Sequence, residues 1–161
     1  MSQRETQISN LQDLDLFTEN FSQEVLKNLQ EGKDLVILLH GSMAAGKTTL
    51  ISSLAKSLKV PEKVTSPSFT GIHEYSFFDL KNNKIIFYHL DLYQVNLNLD
   101  AFLELMDREE QILFAIEWSE KLEEEVLTLL TNKDKHISIL DLKIKKNNDT
   151  ERLINYGYRK P

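Results

Sequence analysis

Apolar residues in this chain switch repeatedly between two spacings. From Asp13 onward, Leu16, Phe17, Phe21, Val25, Leu26 and Leu29 recur every three or four positions, the stripe of an amphipathic helix that ends near Gly32. At 35–39 the pattern becomes an unbroken run, Leu-Val-Ile-Leu-Leu, which predicts a strand buried on both faces. Leu50, Ile51, Leu54, Ala55 and Leu58 then return to helical spacing. Pro61 and Pro67 bias their predecessors toward extended backbone, so 60–70 reads as an ordered loop leading into a strand near 69–78. Asn82 and Asn83 mark a turn, and 85–90 forms the second strand of a hairpin.

Farther on, 100–110 predicts a short helix with Asp100 at its N-cap, 112–116 a buried strand, and 120–130 a helix. Residues 136–145 alternate as a half-exposed strand with Ile137, Ile139 and either Leu142 or Ile144 inward. A turn at 147–149 allows 152–158 to return as a last antiparallel strand. The start, 1–12, is frayed or holds a short edge strand near 6–9. Strands alternating with helices and broken by hairpins predict one α/β domain over 1–161, with a mixed parallel and antiparallel sheet flanked by helices.

Composition narrows the class. With 161 residues there is enough chain for one domain with a sizeable core. Cysteine is absent, which excludes a disulfide framework and a cysteine zinc site. No run approaches the roughly 18 apolar residues of a membrane span. The opening Met1-Ser2-Gln3-Arg4-Glu5-Thr6 lacks the apolar core of a signal peptide, so a cytoplasmic protein without membrane attachment is expected. The formal charge of −6, from 25 acidic and 19 basic residues, argues against autonomous DNA or RNA binding. Lys143, Lys145 and Lys146 cluster, and read first as the solvated face of a strand.

The chemistry lies between the strand at 35–39 and the helix behind it. Gly41-Ser42-Met43-Ala44-Ala45-Gly46-Lys47-Thr48 is the full phosphate-binding loop pattern, followed by Thr49. Its glycines allow a turn that aims backbone N–H groups at phosphate oxygens, and the helix start adds its unpaired donors and positive dipole end. Lys47 supplies a mobile, solvent-facing charge for the β- and γ-phosphates, and Thr48 offers a hydroxyl to Mg²⁺. The expected ligand is a nucleoside triphosphate.

Such a loop needs a carboxylate near the metal and a group that orients the attacking water. In open α/β sheets these stand at the carboxyl ends of strands. Asp91 follows the strand 85–90 and Glu117 follows 112–116; spacing alone leaves open which of them is the metal-side acid. His89 shares a strand face with Asp91 and reads as a hydrogen-bonded packing residue, as does His40 before Gly41. Ser66, Ser68 and Thr70 could act as a switch loop. No Asn-Lys-x-Asp guanine motif is present, since 131–134 reads Thr-Asn-Lys-Asp, so ATP is preferred. The base contacts are open, with the turn at 147–149 and the N-terminal helix as possible flanks.

Taken in order, the loop at 41–49, Thr65-Ser66-Pro67-Ser68-Phe69-Thr70 with Glu74-Tyr75, His89-Leu90-Asp91-Leu92-Tyr93 and Ile116-Glu117-Trp118 resemble the bacterial TsaE (YjeE) ATPase family of tRNA threonylcarbamoyladenosine formation. The resemblance covers the layout from about residue 13 onward, with its specific motifs between Gly41 and Lys121. It implies an ATP- and Mg²⁺-using P-loop ATPase in which Thr48 and Glu117 reach the metal and Asp91 lies near the γ-phosphate. It also implies two partners, a catalytic threonylcarbamoyl-transferase subunit and its paralogous scaffold (the TsaD and TsaB type), with tRNA met only through their complex. Catalytic duties then fall to Asp91 and Lys47.

The chain departs from the family at several points. Ser42, Met43 and Ala44 stand where Asp or Glu, Leu and Gly are usual; Ser68 replaces Thr, and Ser119 replaces Pro. Gln94 stands where arginine is common, which leaves no arginine close in sequence to the loop, to 65–70 or to Asp91. Hydrolysis is therefore expected to be slow alone and raised by partners. The alternatives are a P-loop small-molecule kinase and a nucleotide-dependent scaffold. A kinase lid needs clustered arginines, and Arg4, Arg108, Arg152 and Arg159 are scattered.

Overall fold

A computed structural model describes residues 3–132 and 136–159. Met1 and Ser2, the outermost part of the expected frayed start, and Lys133 and Asp134 of the Asn-Lys-Asp stretch lie outside the described residues. The elements in chain order are β1 (Arg4–Ile8), α1 (Leu11–Gln30), β2 (Asp34–His40), α2 (Lys47–Ser57), β3 (Ile72–Phe78), β4 (Lys84–Asp91), α3 (Leu99–Met106), β5 (Gln111–Glu117), α4 (Glu124–Leu130), β6 (Ile137–Lys146) and β7 (Arg152–Tyr158). One seven-stranded sheet runs β1-β7-β6-β2-β5-β4-β3. Its centre is parallel, with β2 between β5 and β6 and β4 beyond β5. Its edges are antiparallel, made by the β3–β4 hairpin and by β1, β7 and β6. The expected α/β mixed sheet is therefore present.

Burial explains the pattern. Leu35 to Leu39 of β2 are all buried, because odd positions face a core with α1 and α2 and even positions face one with α3 and α4. Each such aliphatic side chain contributes about 1.5–3 kcal/mol relative to exposure. The odd positions of β4 and β5 share the α1 and α2 side, so His89, Asp91 and Glu117 come out on the face where the loop enters α2. Among the described residues no helix is long and apolar enough to cross a membrane.

Three expectations change. Leu16 is 61% exposed, because the buried stripe of α1 is Leu14, Phe17, Phe21, Val25 and Leu29, and Leu16 falls off it. The cap of α3 is Asn98, whose side chain accepts from Ala101 N at 2.9 Å; Asp100 sits in the first turn. The helix expected over 120–130 is broken into a 3-10 turn at Ser119–Lys121 and α4, with Leu122 and Glu123 extended between them. Leu122 thereby enters the α3 and α4 core. On β6 both faces are used: Ile139 joins that core, and Leu140, Leu142 and Ile144 join the opposite one.

Candidate functional site

The loop from Gly41 to Gly46 joins the end of β2 to the start of α2. A Cβ on Gly41 would stand 2.8 Å from the carbonyl oxygen of Ile144, so only glycine permits this approach to β6. Gly46 has φ 106° and is the N-cap of α2, without any side-chain cap. The first N–H groups of α2 are thus left for an outside acceptor. Ser42, Met43, Ala44 and Thr49 are exposed, Ala45 is buried, and Gly46 and Thr48 are half-buried. Ala44 adopts φ 58°. That conformation costs an alanine about 1 kcal/mol where a glycine would be free.

Lys47 is 5% exposed, against the expectation of a solvent-facing side chain. Its Nζ donates to the carbonyls of Gly41 (2.8 Å) and Ser42 (3.0 Å) and sits 3.9 Å from the centre of the Trp118 ring. Burial pushes its ammonium below the ordinary value, and the charges of Glu117, Glu120 and Asp91 oppose that. Trp118 is held for this contact in left-handed backbone (φ 56°, ψ 41°), unusual for a bulky residue, and its ring also meets Tyr93 at 4.9 Å.

The two acids are neighbours in register at the ends of β4 and β5. Glu117 Oε1 accepts from the Thr48 hydroxyl (2.7 Å) and from His89 Nε2 (2.8 Å). Asp91 Oδ2 accepts from the Ser68 hydroxyl (3.0 Å), and its Oδ1 accepts from Tyr93 N (2.9 Å). Ser68 in turn bonds Ser66, while Thr70 donates back to Ile72 O away from both acids. A cavity of about 600 Å³ is lined by the loop, Ser68, Asp91, Gln94, Glu117 and Trp118, among others. The sequence-predicted loop residues, Asp91 and Glu117 therefore meet in one place. His40 stands outside it, beside Ser119 and Asp141.

The donor set fits Mg²⁺. Among the described residues there is no cluster of three metal-ligating side chains. Mg²⁺ requires none, because it is held by one or two carboxylates or hydroxyls together with phosphate oxygens and water.

Two features escaped sequence reading. Arg152 lies far along the chain, but the β6–β7 hairpin returns it to the loop, where its Nε donates to Ala45 O at 2.8 Å. Its remaining donors go to the carbonyls of Ala44, Asn148 and Glu151. Only the tertiary register reveals this brace. The second is an apolar cavity of about 330 Å³ on the far side of Ala45, Gly46 and Thr49, lined by Ile8, Leu11, Leu14, Ile144 and Ile154, among others. The start of α1 and Thr150 border it.

A parallel strand, a glycine loop and an uncapped helix start, with a threonine hydroxyl bonded to a strand-end glutamate, define a protein of the P-loop fold. Comparison with known proteins agrees. The profile of the family described as threonylcarbamoyl adenosine biosynthesis protein TsaE matches residues 14–154, and this chain belongs to that family. A Nostoc protein named tRNA threonylcarbamoyladenosine biosynthesis protein TsaE is 43% identical over 93 residues, 54% of this chain and 54% of its own length. An Aquifex aeolicus protein of the same name is 41% identical over 101 residues, 61% of this chain and 67% of its own length. The chain spans about half the length of the Nostoc and Synechocystis relatives it matches. The crystal structure of Bacillus subtilis YdiB has the same fold, with a TM-score of 0.56 at 24% identity over 96% of this chain and 84% of that one.

Proposed function

We propose that this protein binds ATP with Mg²⁺ and hydrolyses it as a cytoplasmic subunit of the machinery that forms threonylcarbamoyladenosine in tRNA. The observation that carries this reading is the hydrogen bond from Thr48 to Glu117 at the mouth of the loop, with Asp91 one strand away. Triphosphate oxygens lie against the N–H groups of the loop and of the α2 start. Lys47 exchanges the carbonyls of Gly41 and Ser42 for the β- and γ-phosphates. Mg²⁺, when bound, neutralises charge between those phosphates. Thr48 and Glu117 stand at its place, and Asp91 orients the water that attacks the γ-phosphorus as the bond to the β–γ bridging oxygen breaks. The adenine ring lodges in the apolar cavity behind Gly46 and Thr49, where the helix start hands the α-phosphate on to sugar and base.

Transfer to a small-molecule acceptor fits less well than hydrolysis. Arg4 pairs with Glu24, Arg108 with Glu74 and Arg159 with Asp141, while Arg152 is bonded to backbone carbonyls. None is left as a lid over the phosphates. The same arrangement supports slow turnover alone and stimulation by the catalytic threonylcarbamoyl-transferase subunit and its paralogous scaffold, since a supplied arginine adds roughly 10³–10⁵ in rate. Single-turnover hydrolysis of labelled ATP, with and without those two proteins, tests this. Slow release alone and a large increase with both is the expected result; fast, partner-independent hydrolysis overturns it.

A further inference from the structure

Beneath Glu117 sits a side chain that neither the loop nor the metal requires. His89 has 0% of its surface exposed, two residues before the end of β4. Its Nδ1 has no hydrogen-bond partner among the described residues. The register partner on β3, His73, turns its own Nδ1 to the Tyr75 hydroxyl and so does not satisfy it. An unpaired ring nitrogen in a dry core is costlier than an apolar side chain of the same size. What the imidazole gains is the 2.8 Å bond from Nε2 to Glu117 Oε1; a carboxylate oxygen accepts, so Nε2 carries the proton.

Glu117 Oε1 is therefore held by two donors, from Thr48 and His89, and Oε2 has no hydrogen bond among the described residues. The two donors differ in kind. Thr48 belongs to the ligand-binding loop and its oxygen has its own place at the metal, whereas His89 is fixed in the sheet between β3 and β5.

We propose that His89 is a positioning residue: it anchors Glu117 Oε1 from below so that Oε2 is presented to a divalent cation before nucleotide arrives. This rests on the reading of Glu117 as the metal-side acid. Partners of this kind behind a metal ligand change metal affinity by about 10–100-fold when removed.

The test compares His89→Phe, which fills the space without a donor, with His89→Gln, which keeps a side-chain N–H. Mn²⁺ affinity is measured by electron paramagnetic resonance with a non-hydrolysable ATP analogue present, and analogue affinity is measured separately in chelator. The expected result is a cation affinity about 10–100-fold weaker in His89→Phe. Metal-free analogue affinity stays within about twofold of wild type, and His89→Gln recovers most of the loss. Equal weakening with and without metal, no weakening, or no recovery by His89→Gln overturns the proposal. Glu117→Gln is run alongside: if it leaves Mn²⁺ affinity unchanged, the reading of Glu117 fails, and the assignment to His89 falls with it for a distinguishable reason. Because His89→Phe could fail to fold, ¹⁵N spectra of the imidazole in the unaltered, ligand-free protein give a second readout. A protonated Nε2 and a bare Nδ1, with the Nε2 resonance displaced in Glu117→Gln, is expected; a proton on Nδ1 alone overturns the proposal.

Discussion

Asp91 and Glu117 end adjacent parallel strands in register and are both buried, yet they are wired to different parts of the molecule. Glu117 is tied to the first turn of α2 through Thr48 and to the neighbouring strand β4 through His89. Asp91 is tied to the 60–71 loop through Ser68, beside Phe69, which is 96% exposed. The side chain of one acid is bonded to α2 and to a neighbouring strand, and that of the other to Ser68 of an exposed loop and to the backbone of Tyr93. On the proposed function, cation-linked binding falls to the first and timing of hydrolysis to the second.

Lys47→Ala removes what the two regions share, since the ammonium lies in the field of both carboxylates. Truncating one member of a buried, hydrogen-bonded charge pair costs about 2–5 kcal/mol, so ATP affinity measured by calorimetry should fall by about 30- to 5,000-fold. Because Mg²⁺ cannot replace the lysine, the loss should be similar with and without it. Asp91→Asn separates the regions. Partner-stimulated hydrolysis should fall by about 10²–10⁴, the range for a lost positioning or acid–base group, while ATP affinity stays within about threefold.

Ser68→Ala sharpens the contrast. Loss of one hydrogen bond to Asp91, worth about 1 kcal/mol, should slow stimulated hydrolysis roughly fivefold and leave the Mg²⁺ dependence of binding untouched. A smaller effect serves as a control away from both acids. Burial alone would raise the Asp141 carboxyl, but hydrogen bonds from His40 and Arg159 outweigh it and hold it at about 2, against an ordinary 3.8. A depressed carboxylate adds stability above the ordinary value that is lost as pH falls through the lower one. With the side chain about a third exposed, Asp141→Asn should cost only about 1 kcal/mol at neutral pH. Urea denaturation should show the difference from wild type shrinking below pH 4 and gone only below pH 2.

What could be read from the sequence follows from how local each signal is. The loop, the doubly buried β2 and the hairpins at 82–83 and 147–149 are contiguous patterns, and all stand where the sequence put them. Both acids are legible because strand ends are predictable; spacing leaves open which is the metal-side acid, the family resemblance implies Glu117, and the Thr48 contact, between residues far apart in the chain, supports that reading. Leu16 and the broken helix at 122–123 were misread because α1 docks by one face only and Leu122 is drawn into a core built from distant elements. A loop position suggests a solvent-facing Lys47, but the side chain folds onto the carbonyls of its own loop and under Trp118, contacts that no local pattern encodes. Arg152 had no sequence signal, since a three-strand register places it.

The division between the two acids is tested most directly by calorimetry of ATP binding to wild type, Glu117→Gln and Asp91→Asn, each with Mg²⁺ and with chelator. The expected result is that Mg²⁺ tightens binding to wild type and to Asp91→Asn alike, and that Glu117→Gln loses most of this gain while its chelator affinity is unchanged. If Glu117→Gln keeps the full gain, or if Asp91→Asn loses it to the same degree, the two carboxylates do not divide the work in this way.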